Sequence, residues 1–136
     1  MAMATERFVF DFDPRFRRLL AVLGIRPSNS EVVLTDSTFT ARFGRFRAHT
    51  PVANLKDVRI TRDYRWFKAI GPRGSAADRG ATFGTNSRAG VCVCFHEPIS
   101  ALSGNRQRHP GLTVTVADPE GLASAIERRI DAHPGS

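Results

Sequence analysis

From Glu31 onward, apolar side chains recur at every second position. Val32 and Leu34 alternate with Val33 and Thr35, and Phe39, Ala41 and Phe43 alternate with Thr38, Thr40 and Arg42. Phe46, Ala48 and Thr50 then alternate with Arg45, Arg47 and His49. A period of two belongs to a strand with one face on a core and the other in water; a helix would return its apolar positions every 3.6 residues. Asp36-Ser37 and Gly44 fall where turns are needed, so the stretch predicts a meander of half-buried antiparallel strands. Such a sheet must lay its apolar face on something.

Flanking segments offer several candidates. Phe8, Phe10 and Phe12 alternate with Val9 and Asp11, a short strand with one aromatic face. Asp13-Pro14 has the chemistry of an N-cap with proline at the first helical position. Phe16, Leu19, Leu20 and Leu23 follow at helical spacing, a stripe expected to dock on the sheet, and Gly24 stops the helix. Arg15, Arg17 and Arg18 occupy its other side. Past the interruption at 51–56, Val58 and Ile60 resume the alternation. Tyr64 to Ile70 can extend a strand, and Gly71-Pro72-Arg73-Gly74-Ser75 has loop chemistry. Ala81-Thr82-Phe83 predicts a short strand, and Val91 to Phe95 a central strand covered on both faces. His96 to Pro110 predicts a polar loop, and Leu112, Val114 and Val116 give the last alternation.

A second helix closes the sequence. Asp118 is placed as its N-cap, Pro119 as its first residue and Glu120 near its positive end. Leu122, Ala125, Ile126 and Ile130 share one face, and Arg128 and Arg129 complement the C-terminal end. At 136 residues one domain over 1–136 is the natural count, because two cores would each be small. Ten Phe against one Trp and one Tyr put most of the aromatic mass inside. No apolar run approaches the roughly 20 residues of a membrane span, and the start carries no apolar signal core, so the expected compartment is the cytoplasm.

Three segments carry a resemblance. Val33-Leu34-Thr35-Asp36-Ser37-Thr38-Phe39-Thr40-Ala41-Arg42-Phe43-Gly44 is similar to the early strand, tight turn and strand of bacterial pleckstrin-homology-like (PH-like) domains. Thr50-Pro51-Val52-Ala53-Asn54-Leu55-Lys56-Asp57-Val58 resembles their short proline-started turn, and Thr115-Val116-Ala117-Asp118-Pro119-Glu120-Gly121-Leu122 their last strand entering the capping helix. The resemblance covers a core of about residues 31–131 and leaves the strand and helix at 8–24 as an addition. It implies a mainly β, α+β fold: a partly open seven-stranded antiparallel barrel capped by the C-terminal helix. It further implies a binding or scaffolding module without catalytic residues or cofactors.

Charge points to where such a module would bind. The net charge is +7, and residues 42–88 hold 11 Lys or Arg against three Asp, so all the excess is central. Arg42, Arg45 and Arg47 fall on one side of the hairpin around Gly44, with His49 continuing the row. Converging cations suit clustered phosphates, whereas a solvated strand face is the competing reading. Arg62, Arg65, Trp66 and Lys68 mix cations with an aromatic, as a base-stacking or membrane-interface surface does, or a core aromatic with flanking charges.

Cys92, Cys94 and His96 share a strand face. Positions four apart lie roughly 13 Å apart, too far to share a metal. No metal site is therefore expected, and the thiols read as reduced, buried small hydrophobes. His49, His96, His109 and His133 sit in no hydrolase or nucleotide-binding motif, so no enzyme is expected. The expected function is a non-catalytic module for a protein partner or an anionic membrane surface. A small apolar-ligand carrier and a nucleic-acid binder are the alternatives, and a free strand edge allows a homo-oligomer.

Overall fold

A computed structural model describes residues 5–14, 16–62, 71–74, 81–84, 89–100 and 108–132, with backbone alone at 61–62, 71–74 and 81–82. Among the described residues the chain is a mixed α+β structure of two sheets and two helices, and the sheets do not close into a continuous barrel. Strands β1 (Glu6–Val9), β2 (Ser30–Leu34), β3 (Thr38–Phe43) and β4 (Phe46–Pro51) form the first sheet in chain order, every pair antiparallel. Helix α1 (Arg17–Val22) lies between β1 and β2. The second sheet contains β5 (Leu55–Arg62), β6 (Gly71–Gly74), β7 (Ala81–Gly84), β8 (Ala89–Ile99) and β9 (His109–Val114), in the order β5-β8-β9-β7-β6. There β7 runs parallel to β9 and the other pairs are antiparallel.

A backbone seam joins the sheets. Phe10 and Val116 form a bridge, the Asp11 N–H donates to the Thr115 carbonyl at 3.0 Å, and the Ala117 N–H to the Val9 carbonyl at 2.9 Å. The β1 segment is thus tied both to β2 and to the end of the last strand. Helix α2 (Pro119–Ala132) packs against β5, β8 and the 3-10 turn Val52–Asn54. Its start follows the sequence, with the Gly121 N–H donating to Asp118 Oδ1 at 3.0 Å and the Leu122 N–H to the Asp118 carbonyl at 3.1 Å.

The alternation in β2 to β4 has its physical counterpart in burial. Val32, Leu34, Phe39, Ala41, Phe43 and Ala48 are fully enclosed, while Glu31, Thr40, Arg42, Arg47 and His49 face outward. Inside, Phe43 stacks on Phe83 at 5.0 Å between ring centres and meets Phe10 at 5.2 Å; Phe39 lies 6.3 Å from Phe95. Leu122, Ala125 and Ile126 of α2 complete this core.

Several elements depart from their sequence reading. Helix α1 starts at Arg17, after a turn in which the Phe16 N–H donates to the Asp13 carbonyl, so Asp13 and Pro14 precede the helix instead of opening it. The stripe expected to dock is only partly inward: Leu20 is buried and Phe16 half-buried, whereas Leu19 and Leu23 are exposed. Gly71–Gly74 is a strand, because pairing with β7 supplies backbone partners that its composition does not advertise. Strand β8 continues past His96 to Ile99, and only one of its faces is closed: Val91, Val93 and Phe95 are buried while Cys92 and Cys94 are half-exposed. Arg129, expected at the helix surface, is completely buried.

Candidate functional site

The outer face of the first sheet and the connection above it gather most of the exposed cations described. In the β3–β4 hairpin Arg42 stands directly opposite Arg47, and Thr40 opposite His49, whose Nδ1 lies 2.7 Å from Thr40 Oγ1. On the other side of Arg42 is Glu31, which Arg7 of β1 already engages at 2.8 Å. The row Val9, Glu31, Arg42, Arg47 thus crosses all four strands. Like charges directly opposite each other destabilise a sheet. An anion laid across Arg42 and Arg47 would remove that repulsion.

At one end of this row the chain turns through Gly44 and Arg45. Gly44 has φ +62°, and a Cβ there would lie 2.9 Å from Ile25 Cγ1 and 3.0 Å from the Gly24 carbonyl oxygen. Its N–H donates to the Asn29 carbonyl at 3.2 Å, and Asn29 Nδ2 donates to the Gly24 carbonyl at 2.9 Å. The hairpin turn is therefore pressed on the segment leaving α1. Arg45 extends from it with its guanidinium 5.5 Å from the Phe46 ring centre.

Helix α1 and its C-cap residue present Leu19, Val22 and Leu23 to solvent at 55, 84 and 50% exposure, and Val9 is likewise 59% exposed. Single exposed aliphatics are ordinary, but here two on a six-residue helix and a third at its C-cap fall at helical spacing. Exposed Arg17, Arg18 and Arg26 flank it. A groove of about 370 Å³ runs between Arg17, Ala21, Ile25, Arg26, Pro27 and Ser28. No Asp or Glu stands between Asp13 and Glu31, or between Asp36 and Asp57.

The expected binding residues are not all brought together. Arg42 and Arg47 adjoin, and Arg45 lies at the turn beside them. Arg62 ends β5 in the other sheet, opposite Ala89. Arg65, Trp66 and Lys68 lie outside the described residues. Sequence reading missed Arg7 and the outward apolar face of α1. The signal for the latter was available, since five consecutive apolar residues, Leu19 to Leu23, cannot all face one side of a helix. Among the described residues no helix is long and apolar enough to cross a membrane. No protein-family model matches the chain, and neither a curated protein nor a solved structure is detectably similar to it.

Proposed function

We propose that the chain is a non-catalytic, PH-like binding module that docks on an anionic membrane surface through α1 and the β3–β4 hairpin. One observation carries the reading: solvent-facing Leu19, Val22 and Leu23 stand on a segment that also exposes Arg17, Arg18 and Arg26, and the turn bearing Arg45 packs on its end at Gly24 and Ile25. Burying these three aliphatic side chains is worth about 3 kcal/mol, taking half the full value for each. Each arginine near an anionic surface adds about 1 kcal/mol. Neither part suffices alone, and the two together give the paired signal that stable peripheral binding requires.

Topology supports the PH-like part. A four-stranded meander is followed by the antiparallel run β5, β8, β9 and then a C-terminal helix, which makes seven strands and a cap. On that reading β6 and β7 are an addition in the connection between β5 and β8. Against a ligand carrier, Phe10, Phe43 and Phe83 pack on one another instead of lining an open space.

The test is co-flotation of the purified chain with vesicles of neutral lipid, and with vesicles that also contain phosphatidylserine. The chain is expected to float only with the anionic vesicles, and Arg42→Glu/Arg45→Glu/Arg47→Glu is expected to abolish this. Flotation unaffected by that charge reversal, or no flotation with either vesicle, would overturn the reading. Salt-sensitive retention on DNA without flotation would transfer the site to nucleic acid.

A further inference from the structure

The outer face of the second sheet carries a cluster that the docking rim does not use. Cys92 and Cys94, two apart on β8, point to the same side and are both half-exposed. Arg59 of β5 is the cross-strand neighbour of Cys92. Its guanidinium is close enough to both thiols to interact with them electrostatically. On the far side, Gly111 of β9 stands opposite Cys94, where a Cβ would lie 4.0 Å from Cys94 Sγ. With hydrogen in place of a side chain, that approach stays open.

We infer that Cys92 and Cys94 form a two-thiolate site for a soft monovalent metal ion of the Cu(I) class, with Arg59 as its charge partner. Ligand number argues for this class. Among the described residues no group of three or more His, Cys, Asp or Glu converges as a metal ion would need. Zinc takes four ligands and finds two here. Thiolates select soft ions, of which Cu(I) is one. With a metal–sulfur bond of about 2.3 Å, a linear S–metal–S unit spans about 4.6 Å. Two same-face side chains whose Cα atoms are roughly 6.6 Å apart reach that span by leaning together. A disulfide would demand Cβ atoms about 3.8 Å apart, which parallel side chains on an extended strand do not provide.

The charges also close. Cu(I) replaces the two thiol protons, two sulfur–copper bonds form, two protons go to solvent, and no atom changes oxidation state. The product carries one negative charge, which the Arg59 guanidinium offsets. Metal binding is expected to weaken as pH falls, because protons compete for the same sulfurs.

The experiment is an anaerobic titration of the reduced chain with Cu(I) against a coloured Cu(I) chelator, with stoichiometry read by native mass spectrometry. One copper per chain is expected. Cys92→Ser and Cys94→Ser should each abolish competition, and Arg59→Gln should weaken it by about tenfold, as for an outer-shell group. Circular dichroism of the variants should match the parent, because these side chains leave the core untouched. Failure of the parent chain to compete would overturn the assignment. Full affinity in either Cys→Ser variant, or one copper shared by two chains, would do so as well. The outcome is independent of the membrane reading, which uses the other sheet.

Discussion

Removing the Arg129 side chain tests how α2 is held. Its Nε donates to the Thr35 carbonyl at 2.7 Å, and its Nη1 to Glu6 Oε2 at 2.9 Å and to the Ala125 carbonyl at 3.0 Å. The guanidinium is completely buried, whereas the Glu6 side chain is 34% exposed and also meets Arg128 at 3.3 Å. Arg129→Met fills much of the space with an apolar stem and deprives two carbonyls of a charged donor. Each such bond is worth about 1.5–3 kcal/mol, and relief of the desolvated cation returns part of it. The net loss should be about 3 kcal/mol, or roughly 10 °C in melting temperature for a chain of this size. Glu6→Gln leaves the buried cation without this carboxylate and should cost about 2 kcal/mol. In the Arg129→Met background the same change should cost less than about 0.5 kcal/mol, because only the exposed contact with Arg128 remains for Glu6 to make. Urea denaturation followed by far-UV circular dichroism measures all four corners of this cycle. Additive losses, or an Arg129→Met cost under about 1 kcal/mol, would refute the assignment of Arg129 as a buried lock between α2, β1 and the β2–β3 turn.

Two glycines with positive φ should respond differently to alanine. At Gly24 (φ +81°) nothing lies within 4 Å of an added Cβ, so the loss is the conformational cost alone, about 1–2 kcal/mol. Gly44→Ala adds contacts at 2.9 Å to Ile25 and 3.0 Å to the Gly24 carbonyl, and its denaturation midpoint should fall clearly further; equal losses would contradict the close approach of hairpin and helix. For Cys94, alkylation by iodoacetamide, followed by peptide mass spectrometry, should reach half its limiting rate above the pH of an ordinary thiol. Burial and then Cys92 favour its neutral form. Arg59→Ala should move that midpoint higher still, since the cation favours the thiolate, and a downward move would contradict the geometry.

Strands β2 to β4 were readable because each has one wet face, which writes its period directly into the sequence. The same logic failed for Val91 to Phe95, where half-exposed cysteines look as apolar as buried valines. Strand β6 was hidden because Gly71-Pro72-Arg73-Gly74 has no periodicity, and its strand character rests on pairing with the following strand β7. Arg129 shows a local rule losing to spacing. It follows Leu122 by seven positions and Ala125 by four, so it belongs to the buried stripe of α2, although its charge argued for the helix end. At the candidate site, the arginine row was legible as alternation, but Arg7 was not. Its place beside Glu31 depends on β1 pairing with β2, a contact 24 residues apart in sequence.

Topology explains why the apolar helix and the arginine turn meet. In an antiparallel meander successive connections alternate between the two ends of the sheet, so the β1–β2 and β3–β4 connections share one end. Helix α1 occupies the first and Gly44-Arg45 the second, and Asn29 hydrogen-bonds them together. The β2–β3 turn is at the other end, where the Thr35 carbonyl receives Arg129. The docking rim and the helix lock therefore sit at opposite ends of one sheet, and they should fail separately. Arg129→Met is expected to lower the melting temperature yet, well below it, to keep the preference for anionic vesicles. The hairpin charge reversal should remove that preference with little change in melting. If one variant disturbed both readouts, the first sheet would not be acting as a rigid spacer, and the rim could not be treated as a preformed surface.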